Sequence, residues 1–217
     1  MATDITLINI LRNENRGYFN AIINNCSWQS STITSQDGAK NSVRIIPTSP
    51  GEVTLTSSKY PLYASHKYYL SFKVMFETSV NVTFDWYWPI AEPAAVSGLR
   101  VNSAANTWTR VSAIFDRTMF SDGSYPCRFD YNNESNNAVM RLTSCMLIDL
   151  TECFGAGKEP NKEWLDTHIT TFSDTPTVQY IDNLSELFKD IADAIRAKSG
   201  QTSEIFASDF ADHVRAL

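Results

Sequence analysis

The sequence predicts a mainly β protein: a jelly-roll-like antiparallel β-sandwich with a small C-terminal helical hairpin. Three observations predict it. From about Ser27 to Leu150 the chain is rich in Ser, Thr, Val, Tyr, Phe and Trp, residue types that suit a pleated, half-buried surface. Short apolar alternations in this region are separated by clusters of Asn, Asp, Gly and Pro. After Leu150 the apolar period changes from that of a strand to that of a helix.

Residues 1–26 form an N-terminal segment with two apolar clusters, Leu7, Ile8, Ile10 and Leu11, then Tyr18, Phe19, Ile22 and Ile23. Clusters of this size are not left exposed without reason, so they either line an oligomer seam or pack under the sandwich. Residues 27–155 are the sandwich. Strands are expected at Ser42–Ile46, Val53–Thr56, Tyr68–Phe76, Val80–Trp88, Trp108–Phe115, Arg128–Tyr131 and Val139–Leu150. In the third of these, Leu70, Phe72, Val74 and Phe76 share a core face while Tyr69, Ser71, Lys73 and Met75 share a wetter one. Gln36-Asp37-Gly38, Ser49-Pro50-Gly51 and Ser121-Asp122-Gly123 supply the residues that turns require.

Residues 156–177 hold a short helix and a linker. Gly155-Ala156-Gly157 is a tight connector, Pro160 suits the first turn of a helix running to about Ile169, and Trp164 and Ile169 are its candidate anchors. Thr170–Thr177, with Pro176, reads as linker. Residues 178–217 are a helical docking element. Asn183 caps a helix whose stripe is Leu184, Leu187, Phe188, Ile191, Ala194 and Ile195, and Ser208 caps a shorter one carrying Phe210, Ala211, Val214 and Leu217. Two such helices cannot bury their stripes on each other alone. Leu184, Leu187, Phe188, Ile191, Ile195, Phe210 and Val214 are therefore expected to dock on the sandwich or on a neighbouring subunit.

A chain of 217 residues can bury a self-sufficient core. Its 18 Lys and Arg against 24 Asp and Glu, net −6, argue against nucleic acid, because affinity for phosphate backbones comes from cations that release counterions. No apolar run approaches the ~20 residues that span a bilayer, and Met1–Ile10 lacks the basic start of a leader, so a soluble protein without membrane insertion is expected. Cys26, Cys127, Cys145 and Cys153 match no zinc spacing and read as small buried hydrophobes, with a disulfide left open.

Aromatic residues beside a carboxylate give one constellation with chemical meaning, Phe84-Asp85-Trp86-Tyr87-Trp88. On a strand, Asp85 and Tyr87 fall on the face opposite Phe84, Trp86 and Trp88. Sugar C–H faces pack on rings while hydroxyls bond to polar neighbours, so Asp85, Trp86, Tyr87 and Trp88 are candidate glycan-binding residues, with Asp85 and Tyr87 the outward pair and the tryptophans on the core side. The alternative is that these rings only pack between sheets or subunits. Tyr60-Pro61-Leu62-Tyr63 and Tyr125 form a second aromatic patch, on expected loops, and Tyr125 joins the glycan candidates. His66, His168 and His213 form no metal or catalytic motif, and no nucleophile, Walker or dinucleotide pattern occurs. An enzyme is not expected, although Asp85 with Asp130 is an open glycosidase pair. No cofactor is implied; Asp37, Glu52 or Asp149 could serve a structural calcium, but the expectation is no metal.

The stretch Met146-Leu147-Ile148-Asp149-Leu150-Thr151-Glu152-Cys153-Phe154-Gly155-Ala156-Gly157-Lys158-Glu159-Pro160, continuing to Trp164, resembles a segment of structural proteins of tailed bacteriophages and prophages. There it follows the last strand of a sandwich similar to carbohydrate-binding modules. His66–Phe72 and Trp108–Phe115 resemble paired strands of that module class. Ile191–Gly200, followed by Ser208-Asp209-Phe210-Ala211, is similar to a helical element near the ends of phage tail and fibre proteins. The resemblance implies a non-enzymatic virion subunit, a fibre, tail or head decoration, assembled in the bacterial cytoplasm with other virion proteins. It implies a homotrimer and attachment to host cell-surface polysaccharide. The alternative is a carbohydrate-binding module acting as adhesin or enzyme accessory.

Overall fold

The computed structural model describes residues 3–11, 25–36, 39–90, 93–133, 138–170, 177–180 and 192–198. In chain order the strands are β1 (Thr3–Thr6), β2 (Cys26–Gln36), β3 (Ala39–Pro47), β4 (Gly51–Leu62), β5 (Lys67–Phe76), β6 (Val80–Tyr87), β7 (Val96–Ser103), β8 (Thr109–Asp116), β9 (Gly123–Asn133), β10 (Met140–Asp149) and β11 (Thr177–Tyr180). Two helices, α1 (Leu150–Phe154) and α2 (Lys162–His168), follow β10. The chain divides into two compact units, one of Thr6–Thr177 and one of Met1–Ile5 with Val178–Leu217.

In the larger unit, a five-stranded sheet in the order β2-β3-β10-β5-β8 and a four-stranded sheet in the order β4-β9-β6-β7 make the sandwich. Every sandwich pairing with a described register is antiparallel. The strand period of two sends Leu70, Phe72, Val74 and Phe76 from β5, and Val82, Phe84 and Trp86 from β6, into one buried core. There Phe84 stacks on Phe129 at 5.0 Å between centroids, and Phe72 meets Phe129 edge-on at 5.0 Å. Each such aromatic pair contributes roughly 0.5–1.5 kcal/mol beyond its buried area.

The reverse face of β5 is not wet as expected. Tyr69 and Ser71 are buried, because α1 contacts β5 and α2 contacts β8. Asn161 caps α2 through the Trp164 N–H. Leu165 and Ile169 are buried, whereas Trp164 is only half-buried and stacks on His168 at 4.0 Å. The inner anchor of this helix is thus Leu165, one position beyond the expected tryptophan. Arg110 clasps the helix: its Nη1 donates to the Asp166 and Ile169 carbonyls at 3.0 and 2.9 Å, its Nη2 to the Tyr69 hydroxyl at 2.7 Å, and its Nε to Ser71 Oγ at 3.0 Å. The same sheet face is tied further along by Glu77, which takes a bidentate bond from Arg44 at 2.7 and 2.8 Å and a third from Arg141 at 3.3 Å.

Part of the N-terminal segment is sandwich. Leu7 and Leu11 are buried, Ile10 packs on the core and Ile8 is exposed. Strand β10 shifts register between Thr143 and Met146, around Ser144 at φ 55°, and its described pairing with β3 runs over Met140–Leu142. Fully buried Asn9 continues the bonding of β10 beyond that point. Its Nδ2 donates to the Cys145 carbonyl at 3.0 Å, and its Oδ1 accepts from the Leu147 and Leu11 N–H groups, both at 3.0 Å. The Ile10 N–H donates to the Leu147 carbonyl at 2.7 Å.

In the smaller unit β1 pairs with β11, so Thr177, expected as the end of a linker, begins a strand. Residues 192–198 are helical with Ala192 and Ile195 buried, while Ala194 of the expected stripe is exposed. Leu184, Leu187, Phe188, Ile191, Phe210 and Val214 lie outside the described residues, as do the Asn183 cap, the Ser208 cap and Tyr18, Phe19, Ile22 and Ile23.

Replacing Asn9 by Ala strands three buried backbone groups and is expected to cost roughly 2–3 kcal/mol. Asn102→Ala, at an exposed position of β7, should change stability by less than about 0.5 kcal/mol. Urea midpoints measure the difference, and equal midpoints would remove Asn9 from this role.

Candidate functional site

The outer face of the four-stranded sheet is polar and carries the candidate site. Register fixes its layout: Asp85 of β6 stands opposite Asp130 of β9, and Tyr87 opposite Arg128. Thr54 of β4 stands opposite Asp130 on the other side, with Glu52 opposite Asn132. All these positions share one face because each alternates with a core residue, Trp86 with Phe129 and Leu55.

Arg128 organises the face. Its guanidinium carbon lies 4.6 Å from the centroid of the Tyr87 ring, a cation–π stack. Its Nε donates to Asp130 Oδ2 at 2.7 Å and its Nη2 to Glu52 Oε1 at 3.2 Å. The Asp130 bond is the largest of the influences that hold the guanidinium above its ordinary pKa, with the Asp130 and Glu52 charges adding to it against the opposing effect of burial. Asp130 is itself 2% exposed, and its Oδ1 is buried without a hydrogen-bond partner. So Asp130 is a positioning residue: it fixes Arg128, and Arg128 covers one face of the Tyr87 ring. Asp85 is half-buried and its Oδ1 accepts the Gly98 N–H at 2.9 Å, where β7 bends at φ 71°, a conformation that costs glycine little.

Tyr87 and Asp85 thus lie on the outward face, both half-buried. Trp86 and Trp88 must be corrected as glycan contacts. They are 3% and 0% exposed, since strand parity turns Trp86 inward and Trp88 packs edge-on to Tyr68 at 4.9 Å. The indole N–H of Trp88 donates to the Tyr125 carbonyl at 3.2 Å, while that of Trp86 is buried without a partner. Most of the second aromatic patch lies on strands, not loops: Tyr60 pairs with Tyr125 and Pro61 with Ser124 in the β4–β9 ladder, while Tyr63 follows β4 in the loop before β5. Tyr60 and Tyr125 pack against the core, Leu62 is buried, and Pro61 and Tyr63 project, Tyr63 at 44% exposure. Tyr125 therefore offers less surface than expected. Arg128 was not singled out in the sequence, because the register that sets it against Tyr87 joins positions 41 apart in number.

The open carboxylate pair is placed side by side, Asp85 against Asp130, a cross-strand spacing of roughly 5 Å between Cβ atoms. A glycosidase needs both carboxylates to reach substrate, and Asp130 is enclosed beneath Arg128. Elsewhere, His66 Nδ1 lies 2.8 Å from Asp149 Oδ2, and the other Asp149 oxygen caps α1 through the Glu152 N–H at 3.0 Å. Of the possible calcium ligands, Asp149 is committed to these bonds, Glu52 to Arg128, and Asp37 lies outside the described residues. Among the described residues no group of three or more His, Cys, Asp or Glu is arranged to hold a metal ion, and no helix is long and apolar enough to cross a membrane. None of the four cysteines is joined in a disulfide; Cys127 and Cys145 are buried, and burial pushes the half-buried Cys26 up to about 11.

The sequence matches no family model and no curated protein. Among solved structures the chain is similar to a family 4 carbohydrate-binding module, with a TM-score of 0.40 and 14% identity over 58% of this chain and 79% of that one. It is similar to a family 61 module in complex with β-1,4-galactotriose, with a TM-score of 0.45 and 12% identity over 65% of this chain and 98% of that one. It is also similar to the enzymatically active domain of tailspike protein 4 of bacteriophage CBA120, with a TM-score of 0.40 and 14% identity over 64% of this chain and 21% of that one. What is alike at this level is the sandwich, and the ligand has to be read from side chains.

Asp130→Ala removes a buried carboxylate from a guanidinium that is itself 28% exposed and is expected to destabilise by roughly 1.5–3 kcal/mol. Glu52→Ala, on the exposed side of the same arginine, should cost less than about 1 kcal/mol. Thermal melts in low salt read both values. An Asp130 variant as stable as the parent would mean that the pair does not hold Arg128.

Proposed function

We propose that the chain is a non-catalytic glycan-binding module whose ligand lies across the outer face of the four-stranded sheet. The observation that supports this most is the Tyr87–Arg128 stack, held by a buried carboxylate on a polar sheet face. A ring and a guanidinium plane fixed together give the apolar C–H face of a pyranose something flat to pack on. The second oxygens of Asp85 and Glu52, beyond those that accept from Gly98 and Arg128, are placed to accept bonds from sugar hydroxyls, and the guanidinium to donate to them. Because Asp130 sets these groups before a ligand arrives, little side-chain entropy is lost on binding.

Screening the full chain on a glycan array, then titrating the hits, tests the reading. Tyr87→Ala is expected to weaken the best hit by at least about tenfold with the fold intact, the loss of one well-packed aromatic contact. Binding that survives both Tyr87→Ala and Arg128→Ala would exclude this face.

We infer, as a second reading, that the module belongs to a phage particle as a fibre, tail or head-decoration subunit, assembled as a homotrimer in the bacterial cytoplasm. Two segment resemblances favour it, and the first of them, Met146–Trp164, forms the end of β10, α1 and the first turn of α2. Light scattering of the full chain should then give three times 24.4 kDa. A monomer at micromolar concentration would contradict the trimer.

A further inference from the structure

β7 and β8 are the last strands of their two sheets, and they contact each other on one side of the sandwich. Between them, with α2 as the third wall, lies a cleft of about 310 Å³. Leu99, Arg100 and Val101 line it from β7, Thr109 to Ser112 from β8, and Lys162 and Asp166 from α2. That volume is at the low end of the ~300–1,000 Å³ typical of small-molecule sites.

Its charge is one-sided. Three cations, Arg100, Arg110 and Lys162, face one carboxylate, Asp166. That carboxylate is already engaged, by the Tyr69 hydroxyl at 2.7 Å and by Lys162 Nζ at 2.6 Å. Burial pushes its pKa up, but the bonds from Lys162, Tyr69 and Ser112 outweigh burial and leave the pKa below its ordinary value. It therefore stays ionised and cannot offset three cations. Arg110 is held by four bonds and acts as a fixed positive charge. Arg100 donates from Nε to Asn81 Oδ1 at 3.0 Å, and among the described residues its two terminal nitrogens carry no bond.

We propose that this cleft binds a saccharide bearing a carboxylate, a uronic-acid unit of a polysaccharide. The acid group meets Arg100 and Lys162, where a guanidinium offers paired donors to a carboxylate. The Ser112 hydroxyl oxygen, whose proton goes to Asp166, accepts from a ring hydroxyl, with backbone groups that an edge strand leaves outside its ladder serving the others. Half-buried Leu99 gives the apolar side. Among the described residues no aromatic side chain lines the cleft, so charge rather than ring stacking selects the ligand. The space exceeds what a bare carboxylate fills, which favours a sugar ring over a simple anion. This site is separate from the Tyr87 platform and does not depend on it.

Calorimetric titration of the full chain with trigalacturonate, and with a neutral glucose trimer as control, tests the proposal. The uronide is expected to bind, to lose affinity at least about tenfold in both Lys162→Gln and Arg100→Ala, and to weaken as salt is raised. It should bind Tyr87→Ala as it binds the parent, and acetate at the same concentration should not displace it. The neutral trimer should be indifferent to Lys162→Gln. Absence of uronide binding up to millimolar concentration would overturn the proposal, as would binding unaffected by either cleft variant while the variants melt like the parent. Loss of uronide binding in Tyr87→Ala would move the ligand to the sheet face, and displacement by acetate would reduce the cleft to a simple anion site; either result overturns it.

Discussion

The Arg110 clasp is the interaction on which the asymmetry of the sandwich depends. A guanidinium bonded to two sheet side chains and to two carbonyls at the end of α2 turns a helix of seven residues into a fixed cover. So short a helix has little stability of its own. It persists because Leu165 and Ile169 are buried beneath it and because Arg110 satisfies carbonyls that a helix end leaves open. The helices cover the β5 and β8 part of the outer face of the five-stranded sheet, whereas the outer face of the other sheet carries Asp85, Tyr87 and Arg128. The clasp also builds the wall of the edge cleft, so cover and candidate ligand surface come from one device.

The platform is organised in the same way, from the inside outward. Asp130 lies enclosed at the sheet surface, Arg128 lies over it, and Tyr87 lies under Arg128. An exposed ion pair is worth little, but one partner here is nearly fully buried, so the geometry of the other is set. Loss of the buried member leaves a charged group without its counter-ion, which is costlier than loss of the exposed Glu52. Rigidity of this kind suits recognition of a flat, weakly polar ligand better than it suits proton transfer, for which Asp130 would have to be reached.

Strand parity was legible in the sequence. The alternation of Leu70, Phe72, Val74 and Phe76, and of Phe84 and Trp86, reports the core face directly, and it places Asp85 and Tyr87 outward. β2 escaped notice because CSWQSSTITSQ has few apolar residues to alternate. β7 escaped because Gly98 interrupts its pattern. β1 and β11 have four residues each, too few to show a period. The wet face assigned to Tyr69 and Ser71 failed for a different reason: what covers a sheet is decided by a helix almost a hundred residues later. Long-range register likewise hid the Arg128–Tyr87 stack and the role of Asn9, since neither leaves a local trace.

Hydrogen exchange of the parent and of Arg110→Ala, resolved by segment, tests the clasp most directly. If it holds α2 down on the five-stranded sheet, amides of residues 162–169 in the variant should exchange at least about tenfold faster, while those of β6 and β9 keep their parental rates, as expected for local opening. Unchanged rates over 162–169, or acceleration spread equally through β6 and β9, would contradict the account.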